Sequence, residues 1–240
     1  QHGAERMILR RIDSLPHASV DNLLEQVGLD GGDLTRTIRW LRDRIARLGG
    51  PDYRPTIHLG LNGALGQICN GQPGRMLGQI YGWRTAAGPY ALRLEDPVLL
   101  DSREAQIEAM RTLKNYVQMR GLDVQLVADA WATGPEDVRA FLEAEAADAI
   151  QVKMPDLGSL DTAVDALLAC KAAGVGAFVG GSHVETELAA RAAVHVALAV
   201  PADLLLARPG TGVDEAISLA ENEMARTLAV IGPAAARRAP

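Results

Sequence analysis

The chain has little sulfur to build with: two cysteines, Cys69 and Cys170, in 240 residues. They cannot form a disulfide framework and suit a reducing compartment, where buried, inert thiols are the expected state. Aromatics are scarce, 4% of residues against 48% hydrophobic overall, so the core is an aliphatic one. Basic charge is not in excess. A net charge of −6 and a pI near 5.4 give no electrostatic footprint for nucleic acid or an anionic membrane. Long hydrophobic runs are also missing. The most apolar stretch, Ala189–Ala207, is broken by His195, Pro201 and Asp203 and does not read as a membrane span. The N-terminus lacks the charged-then-apolar pattern of a signal peptide, and it opens on Gln1 rather than Met, which raises the expectation of an upstream segment. The Gly-rich loops at Gly180-Gly181 and Gly210–Gly212 match neither a P-loop nor a dinucleotide fingerprint. These absences suit a protein of the reducing cytoplasm, with no nucleic-acid or membrane partner expected.

What is present is a rhythm of short apolar strand, turn and longer amphipathic helix. Strands are expected at Met7–Ile12, Thr56–Leu61, Pro89–Glu95, Val124–Asp129, Ile150–Lys153, Val175–Gly180 and Leu204–Ala207. A loop, Ser14–His17, follows the first. Helices are expected at Val20–Val27, Asp33–Leu48, Pro73–Ala86, Ser102–Arg120, Pro135–Glu145, Leu160–Ala173, Glu185–Val200 and Asp214–Leu228. The second has Leu34, Ile38, Leu41, Ile45 and Leu48 at helical spacing, and the fourth has Ile107, Met110, Leu113 and Val117. Alternation of this kind argues for βαβ units and a parallel sheet. The length is close to the ~250 residues of one (β/α)8 barrel and also admits two smaller domains. Seven strands are one short of a closed barrel.

The chemistry is concentrated where strands run out. Their C-terminal ends carry His17, His58 with Gly60, Glu95, Asp129, Lys153, Ser182 with His183, and the Arg208–Gly212 loop. In the stretch Ala149–Gly158, Gln151 and Lys153 share one strand face while Ile150 and Val152 share the other. Taken singly, a strand-end acid often caps a helix or pairs with lysine, and a lone lysine is usually a solvated one. Taken together, Glu95 and Asp129 on neighbouring strand ends can share a hard divalent cation such as Mg2+. A lysine held near cations and partly desolvated serves well as a base. A metal and a base facing one cavity suit proton abstraction next to a carboxylate.

Several stretches carry a resemblance: LPHA (Leu15–Ala18), WLRDRI (Trp40–Ile45), LVAD followed by Trp131, QVKMPDLG (Gln151–Gly158), GGSHVET (Gly180–Thr186), RPGTGVDE (Arg208–Glu215) and NEM (Asn222–Met224). In order and spacing the chain resembles the barrel domain of methylaspartate ammonia-lyase, in the enolase superfamily. The resemblance implies a TIM-type (β/α) barrel over residues 1–240, lacking the first strand and the N-terminal capping domain, which would precede Gln1. It implies reversible elimination of ammonia from threo-3-methylaspartate to give mesaconate, with Mg2+ as cofactor, K+ as activator and a homodimeric assembly. By resemblance, Lys153 matches the base that takes the C3 proton. His17 matches a histidine across the substrate that contacts its carboxylate and acts on the opposite epimer. Glu95 and Asp129 match two of three Mg2+ ligands. Gln151 and Ser182 match substrate-carboxylate contacts, and Leu206 matches a side chain lining the pocket.

The chain departs from the family pattern in three places. Gly60 stands where the family has its first metal-binding aspartate. His183 replaces a cysteine in the substrate shell, and Ala130 replaces an acid after Asp129. Two other readings stay open beside the lyase: a racemase or dehydratase of the same superfamily, and a homologue that keeps the fold as a binding or scaffold subunit without turnover.

Overall fold

The computed structural model describes residues 2–19, 31–200 and 202–236. The expected helix Val20–Val27 lies outside the described residues. In order, the elements are α1 His2–Leu9, β1 Ser14–Ser19, α2 Gly31–Gly49, β2 Thr56–Gly60, α3 Ala64–Ile68, α4 Pro73–Ala87, β3 Leu92–Glu95 and α5 Arg103–Met119. They continue with β4 Val124–Ala128, α6 Pro135–Glu143, β5 Ala149–Val152, α7 Met154–Leu157, α8 Leu160–Ala172, β6 Gly176–Gly180, α9 Glu187–Ala199, β7 Leu204–Leu206 and α10 Val213–Ala236. Strand order is chain order, β1-β2-β3-β4-β5-β6-β7. None of the described helices is long and apolar enough to cross a membrane.

The chain forms two compact units, residues 1–132 with 140–149, and residues 133–139 with 150–240. In the first, β1 to β4 pair in parallel, and register places Gly60 beside Glu95 and Glu95 beside Val127. Registered residues of parallel strands point the same way, so His58, Gly60, Arg93, Glu95, Gln125 and Val127 share one face. The opposite face is aliphatic: Ile57, Leu59, Leu92, Leu94 and Leu126 are almost wholly buried. Helix α2 turns Leu34, Ile38, Leu41 and Ile45 into this core, as the spacing predicts. On α5 the buried stripe is Gln106, Met110, Leu113 and Val117. Gln106 takes the place expected for Ile107 because its amide is fully used. It donates to the Val98 carbonyl at 2.8 Å and accepts from the Leu100 N–H at 3.0 Å, tying down the loop after β3.

The start of the chain corrects the sequence reading. Residues expected as a first strand at Met7–Ile12 belong to helix α1 and the turn after it, and the expected loop Ser14–His17 lies in strand β1. Ile8 of α1 is buried while Leu9 is exposed, a helical disposition. Arg11 closes the turn by donating to the Gly49 carbonyl at 3.0 Å and lying over the Tyr53 ring, whose hydroxyl donates to the Ile12 carbonyl. Pro16 and His17 sit where the β1–β2 register shifts, between Leu15 and Ala18. A proline, which cannot donate to a ladder, is tolerated at such an irregularity.

In the second unit, β6 and β7 pair in parallel with Gly180 beside Leu206. Side-chain oxygens of Ser159 and Thr186 cap α8 and α9. The end of β6 depends on two glycines in the left-handed region, Gly180 at φ 90 and Gly181 at φ 80. A Cβ on Gly180 would stand 2.4 Å from the Leu206 carbonyl oxygen, a backbone atom that cannot move without breaking the β6–β7 ladder. Gly180→Ala is therefore expected to destabilise the protein by roughly 2–4 kcal/mol, combining strained backbone with lost pairing. Gly78→Ala, in open space on α4, should stabilise it by about 0.5–1 kcal/mol. Urea unfolding of both variants checks the contrast. Both cysteines are buried, and burial raises their thiols, that of Cys170 to about 11, which keeps them unreactive.

Candidate functional site

The first unit gathers acids at the C-terminal ends of its strands. Glu95 closes β3 only 4% exposed, on the face it shares with His58, Gly60 and Val127. Asp129 follows β4 two residues after Val127, which is the register partner of Glu95; it lies on the same face one strand repeat further along. His58, wholly buried on β2, brings its Nε2 to 3.2 Å from Glu95 Oε2, and Ser14 Oγ stands 3.5 Å from its other ring nitrogen. Gly60 stands beside Glu95 and supplies no donor.

Asp96 is a functional-site residue that sequence reasoning passed over. Its carboxylate accepts the backbone N–H groups of Asp129 at 3.1 Å and Ala130 at 2.9 Å, so it shapes the turn that presents Asp129. Burial first, then the charge of Asp129 and, more weakly, that of Glu95, push Asp96 up to about 7 against the pull of those hydrogen bonds. Asp96 thus lies within electrostatic reach of both Asp129 and Glu95. Among the described residues no three His, Cys, Asp or Glu side chains form a ready-made metal cluster. The two carboxylates present, Glu95 and Asp129, are the donor type that Mg2+ takes, since it binds through one or two carboxylates and keeps several waters.

A pH dependence follows from Asp96. Its folded-state value lies above the ordinary 3.8. Between those values the folded chain holds a proton that the unfolded chain has lost. The stability it contributes is complete below about pH 4 and falls as pH rises through about 7. Asp96→Asn has no such slope, but it loses one of the two acceptors and leaves a backbone N–H unsatisfied, at about 1–3 kcal/mol. Without divalent cation, the stability gap between wild type and Asp96→Asn should narrow from pH 5 to pH 8, as read by urea unfolding at each pH.

The second unit carries the remaining residues. Lys153 follows β5 in extended conformation (φ −98, ψ 107) and leads into α7, partly exposed although all four residues of β5 are buried. Gln151, 2% exposed, donates its Nε2 to the Gly180 carbonyl at 3.0 Å. A Cβ on Gly181 would meet that Nε2 at 2.7 Å and the Leu206 side chain at 3.1 Å, so Gln151, the Gly180–Gly181 turn and Leu206 pack as one assembly. Ser182 is buried in the same turn, its Oγ facing the Val184 N–H at 3.4 Å, and His183 is exposed. Glu185, also missed from sequence, holds the turn from below. Only 4% exposed, it accepts the Gly181 N–H at 3.2 Å, and Arg208 donates to its backbone carbonyl at 3.5 Å. Burial raises the Glu185 carboxyl, opposed by hydrogen bonds from Gly181 and Ser182 and by the Arg208 charge. The one signal for it in sequence is a glutamate directly before the Thr186 cap. The backbone of His17 lies in β1; its side chain lies outside the described residues.

Known proteins place this arrangement. The family model described as methylaspartate ammonia-lyase C-terminus matches residues 1–232. The chain is 40% identical over 229 residues to methylaspartate ammonia-lyase of Clostridium tetanomorphum, covering 95% of this chain and 55% of the relative. Against methylaspartate ammonia-lyase 2 of Carboxydothermus hydrogenoformans the identity is 39% over 228 residues, with the same coverages. The chain therefore spans about half the length of the curated relatives it matches. A crystal structure of the Mg complex of beta-methylaspartase from Clostridium tetanomorphum superposes with a TM-score of 0.90 at 39% identity, over 97% of this chain and 57% of that one. N-succinyl Arg/Lys racemase from Bacillus cereus shares the fold alone, with a TM-score of 0.56 at 23% identity over 77% of this chain and 47% of that one. The parallel strand-and-helix architecture is thus shared with beta-methylaspartase, and the chain belongs to the methylaspartate ammonia-lyase family.

Proposed function

We propose that residues 1–240 act as a single enolase-type barrel domain that eliminates ammonia from threo-3-methylaspartate to give mesaconate. The observation that carries this reading is the placement of Lys153, a partly exposed amine where a fully buried strand gives way to a helix. Strand C-terminal ends are where barrels of this type do their chemistry. Lys153 removes the C3 proton. Glu95 and Asp129 would hold Mg2+, which supplies positive charge beside a substrate carboxylate as that carboxylate gains electron density. Ser182, with His183 next to it, holds a carboxylate of the substrate, Leu206 lines the space for its alkyl group, and His17 serves the opposite epimer. K+ as activator, a homodimer and a cytoplasmic setting belong to the same reading.

Gly60 favours a second reading, a homologue that binds without turnover, because the metal set is two acids where the family has three. One assay separates them. Protein supplied with threo-3-methylaspartate and Mg2+ should show the rising ultraviolet absorbance of mesaconate, and a chelator should stop it. A change in optical rotation without that absorbance identifies a racemase. No change of either kind, with no detectable Mg2+ binding, leaves the binding role.

A further inference from the structure

We propose that Glu185 is a positioning residue for dicarboxylate binding, acting through the Gly180–Gly181 peptide on Gln151 and through the next N–H on Ser182. The ligand's identity rests on the lyase reading; the hold on the turn does not. That one peptide is gripped at both ends. Its carbonyl accepts from Gln151 Nε2 at 3.0 Å, and its N–H donates to the Glu185 carboxylate at 3.2 Å. The carbonyl and N–H of a trans peptide point opposite ways, so Gln151 and Glu185 hold the turn from opposite sides. The following N–H, that of Ser182, also donates to Glu185.

Two successive N–H groups converging on one carboxylate form a backbone nest, a concavity that takes an anion. Gly180 and Gly181, both in the left-handed region, give the turn the backbone that such a nest needs. Here the chain fills the nest with an acid of its own. Burial of a carboxylate is costly, and Glu185 is only 4% exposed; the two N–H donors and the charge of Arg208 offset that cost. Arg208 also donates to the Glu185 backbone carbonyl at 3.5 Å, which carries the hold across to the loop after β7.

Gln151 and Ser182 are the two residues expected from the family resemblance to meet a substrate carboxylate, and both are nearly buried, at 2% and 5% exposure. The Gln151 amide takes its bearing from the Gly180 carbonyl. The Ser182 hydroxyl has the Val184 N–H at 3.4 Å, a long contact that leaves the hydroxyl to be placed by its backbone. A charged acceptor on the Gly181 N–H also makes the Gly180 carbonyl a stronger acceptor, because hydrogen bonds in series polarise one another. Glu185 therefore sets Gln151 and Ser182 together, from the far side of the peptide.

The test is calorimetric titration of mesaconate into wild type, Glu185→Gln and Asp203→Ala, with Mg2+ present and ammonium absent so that nothing turns over. Glutamine keeps the volume of Glu185 but turns an NH2 group toward a donor, which weakens the grip. Asp203→Ala is the control. Asp203 accepts the Ala177 N–H at 2.8 Å near the start of β6, so its loss loosens the same strand away from the turn. Glu185→Gln should bind mesaconate ~10-fold or more weakly, and its Gly181 and Ser182 amide hydrogens should exchange faster. Asp203→Ala should bind as wild type does. Equal loss of affinity in the two variants overturns the proposal, since Glu185 would then serve stability alone. Unchanged affinity or unchanged amide exchange in Glu185→Gln overturns it too, as does a wild type that binds no mesaconate. Glu185→Asp, charged but one methylene short, is a second variant with affinity expected between the two. If neither Glu185 variant folds, Glu185 serves the fold and the proposal falls. A wild type that binds mesaconate but forms none from threo-3-methylaspartate, with binding weakened by Glu185→Gln, sinks the lyase reading and leaves this one standing. Mesaconate formation, with Glu185→Gln binding as tightly as wild type, does the reverse.

Discussion

Under the proposed lyase function, Lys153→Ala should lower mesaconate formation by roughly 10²–10⁴-fold, the range expected when a positioned general base is removed. The variant should nonetheless fold. Lys153 lies in extended backbone that alanine adopts freely, and its side chain does not cap the helix that follows. Its partly exposed side chain is no part of the aliphatic core, so unfolding free energy should stay within ~0.5 kcal/mol of wild type. Lys153→Arg sharpens the result. Guanidinium keeps the positive charge and much of the reach but does not give up its proton, so a base role predicts loss equal to that of alanine. A lysine that merely attracts a carboxylate predicts that arginine retains most of the rate. Urea unfolding alongside the absorbance assay separates a folding defect from a chemical one. Near-wild-type turnover in Lys153→Ala would remove Lys153 from the mechanism.

The sequence made Lys153 and the acids conspicuous because strand ends can be read from alternation alone. Glu95 ends a run in which Leu92 and Leu94 mark one face, and the buried aliphatic face of β3 follows that pattern. The N-terminal segment was harder. Met7–Ile12 offers too few residues to distinguish a two-residue period from a helical one. Ser14–Ser19 contains a proline, and its pairing with β2 shifts register around Pro16 and His17, so no alternation survives to be read. Tertiary packing decided both, through Ile8 and the Arg11–Tyr53 closure.

Asp96 and Glu185 escaped for a different reason. Each hydrogen-bonds backbone N–H groups, and backbone leaves no residue-type signature. Asp96 reaches a turn 33 residues away, and Glu185 reaches back four residues to a glycine. Neither spacing is a motif. Gln151 was legible as a site residue, but which end of its amide is committed became clear only once the Gly180 carbonyl was placed beside it.

Gly60→Asp should tighten Mg2+ binding by ~10-fold or more, about 1.4 kcal/mol, while making the metal-free protein less stable than wild type. Both effects follow from position. Residue 60 lies in regular strand beside Glu95 and outside the left-handed region, so an aspartate there adopts the backbone without strain and presents its carboxylate on the face of Glu95. Without metal, a further buried acid joins a group in which neighbouring charge already helps push Asp96 up to about 7. With metal, the same crowding becomes a third anionic ligand. The midpoint gained on adding saturating Mg2+ should therefore exceed that of wild type, because stabilisation grows with the ratio of free ligand to Kd. Gly60→Asn separates charge from bulk: it fills the same buried volume, so it shares any packing cost but gains little affinity. Calorimetric titration of Mg2+ into all three proteins gives the comparison. If the aspartate variant binds Mg2+ no more tightly than the asparagine variant, Gly60 is not an open ligand position, and Glu95 and Asp129 with water would be the whole site. If wild type binds no Mg2+ and the aspartate variant gains both binding and turnover, Gly60 alone separates this chain from a working lyase.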